Sequence, residues 1–536
     1  MINILKDFTA IVTDKKKEPI CYAVMASALL FCIIGFFNKE LAVGFFVLLL
    51  LSVVTIFTIY ETGIKDKEIY AIFLTALLVH LAAVLFIYYR GFRPFGGGAD
   101  FALYDQIARD IAYRFSHGNF SLDGLYTDHF FPVVIGILYM LTFPSMIIGQ
   151  LFTVWLAAFS VLLTYLIVLQ IGGTKKIALL TSIIITMYPS YLYFGSVLLK
   201  DTVVVPLVLA GILLILKMGK NFSWVTFSMF FIVLTCLINL RFYIGYALMF
   251  SFIFCWPWLS VLSVKKRIIY WFIIIFLIGF SPQIANNGYY GFSSFKSLAN
   301  PEKITYYREI VYNNPSLNPQ PITPQPTTPK PTISKPITPP PSAPQPTTPK
   351  PTISKPTTPP PSAPQPTTSQ PTTSQPNPLQ QEFNGIGSTF ELETGFGKGF
   401  ITFFKNSSQS FLYSLLGPFP WQLRYQRQMM GLVETIPWYI LIIVSMYGFA
   451  RFIKRRGILE FLKFYKFSSP LLLFGILALG ALSLYINNYG IITRIRIPIF
   501  ICFIAVMFIS FNGDLEKFYR NHLRNLYKLI TRSENK

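Results

Sequence analysis

Acidic residues and histidines are scarce in this chain. It has 23 Asp and Glu and four His in 536 residues, against 45 Lys and Arg. The histidines are scattered and form no HExxH. The five cysteines (Cys21, Cys32, Cys236, Cys255 and Cys502) have no CxxC spacing and lie in or beside apolar runs. They read as small packing residues rather than metal ligands. Charge of either sign is sparse: charged residues make up 13% of the chain and hydrophobic ones 53%, with a mean hydropathy of +0.52. A soluble core cannot hide that much apolar surface. The expected fold class is therefore an all-α polytopic membrane protein. The net charge of +22 does not point to nucleic acid, because many Lys and Arg residues sit in short loops between apolar runs, where they set topology.

Apolar runs long enough to span cover roughly 20–37, 41–60, 69–89, 147–170, 176–197, 202–218, 223–240, 243–262, 268–286, 433–451, 468–487 and 496–511. No A-x-A cleavage pattern accompanies the first run, which reads as a retained span. A shorter run, 131–145, is interrupted by Pro132 and Pro144. If it does not cross, the clusters at Lys15–Lys17, Lys65 and Lys67, Lys175 and Lys176, Lys217 and Lys220, Lys265–Arg267, Arg451–Arg456 and the tail from Lys517 all fall on one side. The positive-inside rule makes that side the cytoplasm. The expectation is about twelve spans in a cell membrane, with both termini inside and 131–145 lying near the outer surface.

The expected organisation runs as follows. Residues 1–89 hold a tail and three spans, and 90–146 an outer loop with juxtamembrane helices. Residues 147–286 hold six spans, 287–432 a second outer loop, 433–511 three spans and 512–536 a basic cytoplasmic tail. The second outer loop carries a tandem repeat. Pro324 to Ala343 reads PQPTTPKPTISKPITPPPSA, and Pro344 to Ala363 repeats it with Thr357 in place of Ile337. Such proline density forbids helix and favours extended polyproline II over 315–380. It reads either as a Thr-rich stalk reaching into a cell wall or as an insertion in a tolerant loop.

With this topology, the few charges at outer span ends become informative. Asp100, Asp105 and His129 lie in the first outer loop. Lys200 and Asp201 follow a span, Arg241 sits between two, and Arg494 and Arg496 precede the last. Arginines bind phosphate with bidentate geometry, while a carboxylate serves as general base or holds a divalent cation. Each residue has a plainer reading. Arg494 and Arg496 could snorkel, Lys200 and Asp201 could form an edge pair, Asp105 could be helix-surface polarity, and Asp100 could be the N-cap of an amphipathic helix. Arg241 is harder to dismiss, since no acid is adjacent in sequence. His80, inside a span, reads as a packing histidine.

Asp100, Tyr104 and Ala108, followed by His129-Phe130-Phe131-Pro132 and by Tyr188-Pro189-Ser190 through Asp201, resemble the membrane glycosyltransferases of the GT-C fold. Within that group the likeness is to bacterial, protein-mannosyltransferase-like members (glycosyltransferase family 39). It covers roughly residues 90–220. Phe101 stands where the family has a Glu, and two extra spans precede the first loop. The resemblance implies a polyprenyl-phosphate sugar donor, an envelope glycan, lipid or protein acceptor, and inverting transfer at the outer face. It implies Asp100 as general base, with Arg241, Arg494, Arg496 and Lys200 on the donor phosphate. Asp201 and His129 would position donor or acceptor, and Tyr104 and Asp105 fall in the same substrate-binding loop. A divalent cation is a candidate cofactor only. Rival readings are a polysaccharide polymerase or ligase, a transporter of lipid-linked sugars, and an envelope stalk protein.

Overall fold

The computed structural model describes residues 38–63, 66–92, 98–125, 130–286, 399–423, 426–486 and 488–511, together with Phe36, Gly288 and Tyr289. The expected first span (20–37), the proline repeat, the basic tail and His129 lie outside the described residues, except for Phe36.

The described residues are helical, with no extended strand among them. Among the described residues, eight helices are long and apolar enough to cross a membrane: Lys39–Glu61, Lys67–Arg90, Met146–Gln170, Asp201–Lys220, Phe242–Leu259, Val264–Ile284, Gly431–Arg456 and Ile458–Tyr485. A ninth is counted if Tyr489–Ile495 and Ile497–Phe511, which meet at 54°, form one bent span. Two expected spans look different here. The run 176–197 breaks into Lys175–Thr186 and Pro189–Phe194, because Tyr188 before Pro189 is pushed out of the helical region, with ψ at 121°. The run 223–240 forms a helix of 17 residues, Trp224–Leu240.

We label the elements that position the site α1 (Lys39–Glu61), α2 (Lys67–Arg90), α3 (Gly98–Ser116), α4 (Phe131–Leu141), α5 (Met146–Gln170), α6 (Asp201–Lys220), α7 (Trp224–Leu240), α8 (Phe242–Leu259), α9 (Gln426–Arg456), α10 (Tyr489–Ile495) and α11 (Ile497–Met507). Most of α5 is buried, packed against α1, α2 and α6. Trp155 on α5 donates its indole N–H to Thr55 Oγ1 on α1 at 2.9 Å. By contrast α1 leaves Phe46, Leu50, Val53 and Phe57 exposed, as a helix facing lipid would.

Between α2 and α5, helices α3 and α4 form a closely packed pair. Helix α3 buries Phe101, Tyr104, Ile107, Ala108, Ile111 and Ala112 at helical spacing along one stripe. Gly136 lets α4 approach: a Cβ there would lie 2.6 Å from Ile111 Cγ2. Asp105 then ties the pair together. It accepts from Tyr139 Oη at 2.6 Å and from Arg109 Nε at 2.8 Å.

Helices α6, α7 and α8 run up and down in succession. The N-terminus of α6, the C-terminus of α7 and the N-terminus of α8 therefore share one end of the bundle. The basic residues Lys217 and Lys220 of α6 and Lys454, Arg455 and Arg456 of α9 end their helices at the far side from Asp201 and Glu434.

Candidate functional site

Four elements distant in sequence bring charged groups to that shared end. Asp100 sits in the first turn of α3. Asp201 opens α6, where the helix dipole favours a carboxylate. Arg241 is the single residue between α7 and α8. Its φ of −151° breaks the helical path and turns its side chain across to Asp201. Arg494 lies in the last turn of α10, whose start is fixed by Asn488, accepting from the backbone N–H groups of Gly490 and Ile491.

Arg241 grips Asp201 with two parallel bonds: Nε donates to Oδ1 at 2.9 Å and Nη2 to Oδ2 at 3.0 Å. Its third nitrogen, Nη1, donates to Tyr243 Oη at 3.1 Å. This is the fork geometry that makes guanidinium–carboxylate pairs strong. Arg494 bridges the two carboxylates. Its Nη1 donates to Asp100 Oδ2 at 2.5 Å, and its Nε lies 2.9 Å from Asp201 Oδ2. That second contact is an ion pair whose N–H is not aligned for a hydrogen bond. Asp100 is the open member, with 43% of its side chain exposed against 9% for Asp201 and 11% for each arginine.

Lys200, immediately ahead of α6, is buried, and no carboxylate among the described residues lies in ion-pair contact with it. Burial first, and then the charge of Arg241, hold its ammonium well below the usual lysine range. Tyr104, one helical turn after Asp100, is buried and packs edge-on to Phe131 at 5.5 Å. Burial and the charges of Asp201 and Asp100 push its phenol up, so it stays a neutral hydrogen-bond donor. Two guanidiniums and the Lys200 amine thus meet two carboxylates in a largely buried cluster. When Lys200 is protonated the basic groups outnumber the carboxylates, a balance that favours an anion.

Asp100, Tyr104, Lys200, Asp201, Arg241 and Arg494 are therefore brought together. Asp105 and Arg496 are not. Both oxygens of Asp105 are engaged by Tyr139 and Arg109, which makes it a tie between α3 and α4. Arg496 lies inside the protein. Its Nη2 is 3.0 Å from Glu434 Oε1 on α9, its Nη1 donates to the carbonyls of Ser414 and Gly417 at 3.0 and 2.8 Å, and its guanidinium stacks 4.6 Å over Phe500. Tyr188 Oη donates to the same Glu434 oxygen at 3.2 Å. Sequence reasoning missed Glu434, although a lone acid within an apolar run was signal enough.

Among the described residues no group of three or more His, Cys, Asp or Glu side chains is arranged to hold a metal. Compared with protein-family models, curated proteins and solved structures, the chain matches none. Its class rests on fold and site: an all-α membrane protein with a buried, cation-rich charge cluster at one end of its helices.

Proposed function

We propose that this chain is a multi-pass glycosyltransferase of the cell membrane, with about twelve spans and both termini in the cytoplasm. It moves a sugar from a polyprenyl-phosphate donor to an acceptor hydroxyl at the outer face. The observation that carries this reading is one cluster in which a half-exposed carboxylate, Asp100, pairs with Arg494, beside the Arg241–Asp201 pair and Lys200, which has no carboxylate in contact. One group can take a proton while the others hold a phosphate. The opposite placement of the basic helix ends supports an outward-facing site.

In the reaction, Asp100 accepts the proton of the acceptor hydroxyl. The acceptor oxygen forms a bond to the anomeric carbon as the bond from that carbon to the phosphate oxygen breaks. The electron pair leaves with the prenyl phosphate. Lys200 and Arg494 meet the charge that develops there, the kind of stabilisation that contributes most when water is excluded. Arg241 holds Asp201 and so fixes the floor of the site. The apolar surface of the spans leaves the prenyl chain in lipid.

Purified protein in proteoliposomes, given labelled polyprenyl-phosphate sugars and a panel of acceptors, tests this. Transfer by the wild type that falls roughly 10²–10⁴-fold in Asp100→Asn is the expected result. A folded wild type that transfers nothing across the panel overturns the reading.

A further inference from the structure

The carboxylate assigned as base is not free. Asp100 Oδ2 is held by Arg494 Nη1 at 2.5 Å, the same guanidinium that would receive the donor phosphate. The two partners are unequally committed. Asp201 already has a bidentate partner in Arg241, so it does not depend on Arg494 for neutralisation. The contact of Arg494 with Asp201 is not aligned as a hydrogen bond, and Asp100 is the most exposed member of the cluster. Nearby, Lys200 carries a buried ammonium with no carboxylate in contact. An arriving phosphodiester anion therefore finds one basic group with no carboxylate in contact and a second held by a half-exposed competitor.

We propose that the Arg494–Asp100 pair is a ligand-operated latch, in which a phosphate docking against Lys200 and Arg494 takes the guanidinium from Asp100 and so frees the base. The inference rests on the donor reading above and adds an order to it. Donor binds first, and Asp100 can deprotonate an acceptor only afterwards. With no donor present the carboxylate stays neutralised, so water in the exposed mouth of the site is not activated. Asp100 and the phosphate compete for one partner, so they are antagonists in binding although both are needed in turnover.

That antagonism has a sign that can be measured. A short-chain prenyl phosphate and inorganic phosphate are titrated separately into detergent-purified wild type, Asp100→Asn and Asp100→Ala, with heat of binding as the readout. The latch predicts that both variants bind prenyl phosphate more tightly than wild type, by roughly fivefold, the scale of a part-exposed ion pair. Asn keeps the side-chain shape and Ala removes it, so if one variant misfolds the other still reports. Wild type that binds prenyl phosphate, with variants that bind it equally or more weakly, overturns the latch: Asp100 would then be aligning Arg494 for its ligand. Wild type that binds neither probe overturns the donor reading itself. Binding of inorganic phosphate without prenyl phosphate also overturns the donor reading, and the latch is then judged by the same sign on inorganic phosphate.

Discussion

Lys200 is the residue whose charge is hardest to keep. Its folded value lies below the ordinary 10.5 because of burial and the nearby arginine, so between the two values the unfolded chain binds the extra proton. Stability should therefore rise with pH across that window, being lowest where Lys200 is charged in both states. Lys200→Met should remove this slope, raise thermal stability near neutral pH and weaken phosphate binding, all visible in unfolding midpoints and titrations at a series of pH values. Arg241→Lys is a different experiment, since it keeps the charge and loses the fork. One of the two bonds to Asp201 disappears, and a loss of ~1–3 kcal/mol in unfolding free energy is expected. The charged residues of this cluster were legible in the sequence because charge is so rare there that each occurrence at a span end stands out. Arg494 and Arg496 were not separable by that logic. Two residues apart on a helical turn, they differ by about 200° in direction, and so one enters the site while the other faces Glu434.

At the level of elements, α3 and α4 act as one unit that carries Asp100. Gly136 permits their contact and the Asp105–Tyr139 bond fixes it. Gly136→Leu should force the pair apart, cost about 1–3 kcal/mol, and reduce sugar transfer more than prenyl-phosphate binding, because Arg494 and Lys200 stand on other elements. Tyr139→Phe, which strips one donor from a buried carboxylate, should lower the unfolding midpoint without touching the phosphate site. The long, uniformly apolar helices were readable from composition alone. The break at Tyr188–Pro189 was not read from the apolar run, although the proline was in plain view, since hydropathy averages across a break that backbone sterics enforce. Asp105 misled for a related reason: its helix face was visible in the sequence, but its partner 34 residues on was not.

For the whole molecule, sidedness is the decisive property. In a cysteine-free background, a cysteine at His117 should react with a membrane-impermeant thiol reagent in intact cells, and one at Arg455 only after the membrane is opened. The reverse pattern would put the charge cluster in the cytoplasm. Asp100 and Arg494 touch across 394 residues of chain. At roughly 5–20 residues per second of synthesis, about 20–80 s separate the emergence of the one from that of the other. Throughout that interval Asp100 waits without the guanidinium of Arg494, and only the Arg241–Asp201 half of the cluster can form. A ribosome that stalls, or a message cut short anywhere upstream of the final helices, leaves a chain whose charge cluster is half built. Completion of the polypeptide is itself the first switch that this protein passes.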